Sequence, residues 1–217
     1  MEISTFTGPG FGENAYLAIC EDTKSCVAVD PGRGAGELVR AVESGGLSLE
    51  AIFLTHAHLD HVEGVSTVRD AFPGVPIWLH PDDLSLYRGV QRQAAMFGLS
   101  AEPQPEPTDE IVPGEPLRFG SCAFEVRFTP GHAPGHVILV SQDDGLALVG
   151  DVVFHGSIGR SDLPGGDMQT LMKSIREHVL TLPDETRLYP GHGPPTTVGQ
   201  ERTTNPFLVP HYGGELA

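Results

Sequence analysis

The stretch THAHLDH, residues 55–61, gathers three imidazoles and a carboxylate into six positions directly behind the apolar run at 51–54. Only 10 of the 217 residues are histidine, so three of them within six positions need a reason. Such side chains are costly to bury as packing material, and they are the ligand types of zinc and related divalent ions. His56 and His58, two positions apart, can reach one ion from an extended loop. Asp60 and His61 fall at the start of the following helix and point elsewhere. Four ligands this close would crowd one tetrahedral ion, so the spacing predicts two adjacent ions.

Further ligands of the same kind recur later in the chain. TPGHAPGH (129–136), VGD (149–151) and YPGHG (189–193) each place a histidine or aspartate after an apolar strand, mostly in Gly-rich loops. Loops at strand ends are where a sheet presents chemistry. His80, His178 and His211 stand alone and read as surface or satisfied core residues.

The elements that must carry these loops are legible from periodicity. Short strands are expected at 3–7, 15–20 and 26–29, with turns at GPGFGEN and EDTKS. Ala35, Leu38, Val39 and Val42 form one helical stripe closed by Gly45–Gly46. AIFLT (51–55) reads as a buried strand, and Val62, Val65, Val68 and Phe72 as one following helix. IWLH (77–80) is another strand. In the second half, Cys122, Phe124, Val126 and Phe128 alternate as a half-buried strand, and HVILVSQDDGLALVGD reads as a hairpin about Asp144–Gly145. Met168, Leu171, Met172, Ile175 and Val179 make a helix, and TRLYPGH ends in a strand. Strand pairs followed by strand–helix alternation in each half predict an α/β fold with two mixed sheets face to face and helices outside. The Pro- and Glu-rich stretch 99–116 reads as an exposed connection between the halves rather than a lid.

Composition limits the partners. Thirteen Lys and Arg against 29 Asp and Glu give a formal net charge of −16, which repels nucleic acid phosphates and anionic lipid. No apolar run approaches the ~20 residues of a membrane span. The N-terminus lacks a basic leader and an apolar h-region, so a cytoplasmic location is expected. The three cysteines are an odd number without CxxC spacing. Cys20 and Cys26 could face each other across a hairpin, yet free thiols are the expectation.

Taken in order, THAHLDH, GHAPGH, GD and GHG resemble the metallo-β-lactamase-fold hydrolases over about 11–192. The resemblance implies a four-layer αββα sandwich. It also implies that His56, His58 and His132 hold a first zinc, that Asp60, His61 and His192 hold a second, and that Asp151 bridges both. Iron or manganese can substitute. Asp60 would also orient the attacking hydroxide and take its proton. GHAPGH and GSIGRSDLPGGD (156–167) resemble the glyoxalase II-like branch, which cleaves thioesters such as hydroxyacylglutathione. Full-length members of that branch carry a helical C-terminal domain. The 25 residues at 193–217 are too few for it, so a short one-domain member over 1–217 is expected. In that branch the position of Arg160 contacts the glutathione moiety; the competing reading pairs Arg160 with Asp162 as a loop brace. The partner expected is a small-molecule thioester, with no nucleic acid or membrane, and a homodimer is an allowed assembly. GRSD also resembles the mono-iron persulfide dioxygenases, which use the equivalents of His56, His132 and Asp151. A true β-lactamase would be expected to have a leader and often a cysteine at position 151. A non-catalytic metal-binding scaffold is the remaining class, but such members usually lose ligands and here all seven are present.

Overall fold

The protein is described by a computed structural model covering residues 1–209; His211 lies outside the described residues. Its strands are β1 (Glu2–Thr7), β2 (Asn14–Cys20), β3 (Ser25–Val29), β4 (Ser48–Phe53), β5 (Ile77–Leu79), β6 (Asp109–Glu110) and β7 (Leu117–Phe119). They continue as β8 (Cys122–Phe128), β9 (Val137–Ser141), β10 (Leu146–Gly150), β11 (Val153–Phe154), β12 (Ser157–Ile158), β13 (Arg187–Pro190) and β14 (Thr196–Thr197). The helices are α1 (Ala35–Gly45), α2 (Leu59–Val62), α3 (Val65–Ala71), α4 (Leu84–Arg88), α5 (Val90–Met96), α6 (Met168–Ser174) and α7 (Val198–Thr204).

Two six-stranded mixed sheets, β1-β2-β3-β4-β5-β6 and β14-β13-β10-β9-β8-β7, stack face to face. The alternation of strand side chains builds three cores. Val27 and Val29 of β3 and Phe53 of β4 face Phe124, Leu139 and Leu148 of the other sheet. Their neighbours Ala28 and Ile52 turn outward to Leu38 of α1 and Val68 of α3. Ile138, Val140 and Val149 turn to the opposite outer layer, against Leu171 of α6 and Val198 of α7. The result is the four-layer αββα sandwich, a consequence of strands apolar on both faces. No helix of the described residues is long and apolar enough to cross a membrane.

Several elements differ from the periodicity. The predicted helix through 62–72 breaks at Gly64, whose N–H bonds Pro31 O at 2.8 Å and which packs against the backbone of Gly32. A continuous helix would carry that residue away from the β3–α1 loop. The stripe ending at Val179 is α-helical to Ser174 and then widens into a π-turn over Ile175–Val179. Helices α4 and α5 carry no clean apolar stripe, so periodicity does not predict them. The 99–116 connection supplies β6, the edge strand paired to β5, and donates none of its residues to the central cavity.

The cysteine expectation is corrected. Cys20 is joined in a disulfide to Cys122, and Cys26 is a buried free thiol. Alternation explains it: Cys20 sits on the inter-sheet face of β2, whereas Cys26 sits on the helix-facing side of β3. They cannot meet, and Cys20 meets the start of β8 from the opposite sheet.

Candidate metal centre

Strands β3, β4 and β5 run parallel in one sheet, and β8, β10 and β13 point the same way in the other. The loops after β4, β8, β10 and β13 therefore meet at one edge of the sandwich. They carry His56–His61, His132, Asp151 and His192. The structure brings all seven predicted residues together there. His56, His58 and His132 offer ligand atoms within 4.8 Å of one another, and so do Asp60, His61 and His192. Asp151 stands between the trios, with Oδ2 3.4 Å from His132 Nε2 and 3.6 Å from His192 Nε2, and Oδ1 3.4 Å from His61 Nε2. Asp60 Oδ2 lies 3.1 Å from His192 Nε2.

The donor set fits divalent ions. His56 Nε2, His61 Nε2 and Asp151 Oδ1 are buried without a hydrogen-bond partner, an arrangement that costs free energy unless something pairs with them. His58 Nδ1 and His132 Nε2 are 2.8 Å apart, two ring nitrogens converging on one point. The far nitrogens of His56, His61 and His132 have partners of their own, which orient the rings. His56 Nδ1 meets Thr55 Oγ1 at 3.1 Å, His61 Nδ1 meets Asp30 Oδ2 at 3.1 Å, and His132 Nδ1 meets the Arg160 carbonyl at 2.7 Å.

Charge favours the same occupant. Burial, reinforced by neighbouring imidazoles, pushes His56 well below the ordinary histidine value and His58 down to about 3. Burial likewise lowers His132. These three rings are held neutral, the form in which an imidazole can ligate an ion. Burial opposes charge at Asp151 and Asp60 too, but His61 and its fellow imidazoles hold both carboxyls below the usual range. At His61 burial is outweighed by Asp151 and Asp60, and the ring is held well above its ordinary value. This half of the site therefore holds a proton where it could hold a cation.

Sequence reasoning missed the residues that brace the ligands. Asp30, in the DPGRG turn after β3, accepts from Thr55 N (2.7 Å), Thr55 Oγ1 (2.6 Å) and His61 Nδ1. Asp83 is fully buried and accepts from Ala57 N (2.8 Å) and Gly135 N (2.5 Å), tying the first ligand loop to the second. Burial pushes its carboxyl up to about 6 despite those two N–H donors. Gln93 of α5 accepts from Leu59 N at 3.0 Å and donates to Ala57 O and Leu86 O at 2.9 Å each. His136, the second histidine of GHAPGH, accepts from Asp151 N at 3.1 Å and stacks on His56. Asn14 and Tyr16 both donate to Pro190 O, which holds the PGHG loop. The signal for His136 was its place in the motif; for Asp83 and Gln93 nothing local distinguished them.

Two glycines are required by geometry. Gly150 has φ +47° just before Asp151, a left-handed backbone that turns the carboxylate inward. A Cβ at Gly191 would occupy the space of Asp151 Oδ1 and the His61 ring. His80 lies apart from the centre, stacked on Phe128.

Above the ligands opens a cavity of about 330 Å³ whose apolar wall is Phe11, Leu59, Phe97, Phe154, Ile158 and Leu163. Arg160 also lines it, with its guanidinium bidentate on Asp162 at 2.7 and 2.8 Å.

Comparison with known proteins places the chain. The metallo-beta-lactamase superfamily profile matches residues 8–192. Hydroxyacylglutathione hydrolase GloC of Haemophilus influenzae is 38% identical over 216 residues, spanning 96% of this chain and 98% of that protein. The crystal structure of TTHA1623 in a di-iron-bound form is 42% identical, with a TM-score of 0.85 over 96% of this chain and 100% of its own. That of the BLEG-1 B3 metallo-beta-lactamase is 37% identical, with a TM-score of 0.89 over the same shares.

Proposed function

The chain belongs to the metallo-beta-lactamase superfamily, and from that premise we propose that this metallo-hydrolase cleaves thioesters, with two zinc ions held by the seven residues. His56, His58 and His132 would hold one ion, Asp60, His61 and His192 the other, and Asp151 both. The observation that carries the reading is the convergence of buried ligand atoms at His56, His61 and Asp151 that make no hydrogen bond, with the 3.4 Å contact between His61 and Asp151 as a partial offset to their burial. Bound there, two ions would supply Lewis acidity, lowering the pKa of a shared water toward about 7 and polarising a carbonyl oxygen. The similarity to a hydroxyacylglutathione hydrolase at 38% identity supports the thioester class.

The chain's own groups do the rest. Asp60, held ionised by His61 and His192, accepts and holds the proton of the attacking water through Oδ2. Asp30 and Gln93 keep the loop bearing His58, Asp60 and His61 in one geometry. The apolar wall excludes bulk water from the reacting carbonyl. A thiolate leaving group, with an ordinary pKa of about 8.5, departs without a proton donor; an amide nitrogen would need one. In this reading Arg160 meets the anionic end of a glutathione thioester at the cavity rim.

The di-iron form of TTHA1623 favours iron as the second reading for the metal. One experiment tests both: elemental analysis of protein purified without added metal, with hydrolysis of S-lactoylglutathione and of a penicillin, and aerobic oxidation of glutathione persulfide, measured before and after chelation. Two ions per chain and chelator-sensitive thioester hydrolysis are expected. A single iron with persulfide oxidation, or a penicillin cleaved as fast as the thioester, overturns the proposal.

A further inference from the structure

We infer that the cavity over the metal centre is an acyl-selecting subsite, so that the preferred thioesters carry an apolar acyl group larger than acetyl; this rests on the thioester-hydrolase reading above. The cavity is walled by Phe11, Leu59, Phe97, Phe154, Ile158 and Leu163. Phe11 and Phe97 meet edge to face at 5.3 Å between ring centroids, the geometry aromatic pairs favour. Phe97 of the cavity wall and its chain neighbours Met96 and Leu99 expose 46%, 59% and 39% of their surface. Half of the exposed large hydrophobics of the described residues thus fall in four consecutive positions beside the site. On a chain of net charge −16, such a cluster marks a surface that meets an apolar ligand.

Polar recognition inside the cavity is correspondingly sparse. Gln93 faces it but spends its amide on Leu59, Ala57 and Leu86. Arg160 is closed on Asp162, and Arg92 lines a smaller hollow that shares Phe97. A volume of about 330 Å³ lies at the low end of the roughly 300–1,000 Å³ of small-molecule sites. It accommodates one arm of a thioester and leaves a tripeptide thiol outside. The buried arm is therefore the apolar one, and the surface acidity works against thiols of high negative charge.

The test uses the zinc-loaded protein and acetyl, butanoyl, hexanoyl and phenylacetyl thioesters of N-acetylcysteamine, an uncharged thiol. The expected kcat/KM rises roughly two- to fourfold for each methylene added, the gain for burying such a group. Phe97→Ala and Leu163→Ala each lower the hexanoyl-to-acetyl ratio at least about fivefold. A readout free of turnover accompanies it: calorimetric binding of hexanoate against acetate, where hexanoate binds at least tenfold tighter and the two variants erase the difference. Thioester turnover with no dependence on acyl length overturns the subsite and leaves the hydrolase reading standing. No turnover of any thioester, with hexanoate still preferred through Phe97, overturns the hydrolase reading and supports the subsite. Loss of neither preference in the variants places the apolar arm elsewhere and overturns the inference.

Discussion

Replacing Gln93 with leucine removes three hydrogen bonds at nearly constant side-chain volume. Its carbonyl caps Leu59 N–H, the first residue of α2, where His58 gives no side-chain cap. Its amide satisfies Ala57 O and Leu86 O. Each such bond contributes about 0.5–1.5 kcal/mol net. Gln93 is only half-buried, so water re-pairs part of what is lost, and the lower half of the summed range, about 1.5–3 kcal/mol, is expected. For a chain of this size that is a fall in Tm of about 3–12 °C. The freed loop bears His58, Asp60 and His61, so zinc affinity should fall about 10–100-fold, the usual scale for a lost partner behind the ligands. Thermal melts by circular dichroism and competition against a chromogenic chelator measure both, with Gln91→Leu on the exposed side of α5 as control. If Gln93→Leu holds zinc as tightly as the parent and melts within 1 °C of it, the brace reasoning is wrong.

Asp60→Asn should lower kcat by about 10²–10⁴-fold, the scale of a lost general base; an active, metal-replete variant would remove Asp60 from the mechanism. Arg160→Ala is expected to raise KM for glutathione thioesters while sparing kcat; equal kcat losses on charged and uncharged thioesters would instead make the Arg160–Asp162 pair a loop brace. Denatured, unreduced protein should titrate one thiol and reduced protein three, because Cys20 and Cys122 are bridged. In the native state at pH 8 Cys26 should not react, since burial pushes its thiol up to about 12. Glu13 is buried with both carboxylate oxygens unpartnered, and burial raises its pKa to about 10. A raised folded-state pKa means stability is fully present below about pH 4.5 and is lost progressively as pH rises toward 10. Glu13→Gln in metal-free protein should therefore flatten the fall of Tm between pH 5 and 8; an unchanged slope would show that Glu13 finds a partner.

The candidate ligand cluster was readable because metal chemistry restricts such sites to a few residue types at strand ends, and those types are rare enough to stand out when clustered. His56, His58, Asp60 and His61 announce themselves by spacing; His132, Asp151 and His192 do so by following apolar strands into Gly-rich loops. The sandwich was readable too, since strands apolar on both faces must be covered twice. What supports the ligands was not. Asp83 ends the 3-10 turn Pro81–Asp83 just before α4, and Gln93 sits in α5; neither helix carries a clean apolar stripe, and both residues act through hydrogen bonds to backbone groups. Any residue offers such groups, so neither partner leaves a mark on the chain. The disulfide followed the same logic: Cys20 and Cys26 are close in sequence but sit on opposite faces of their sheet, while Cys122, 102 residues away, shares the inter-sheet face with Cys20. Residue type and period determine what a segment can bind and which face it buries. Which distant backbone groups lie within 3 Å of a side chain is decided only when two sheets have stacked, because that distance depends on every strand between them.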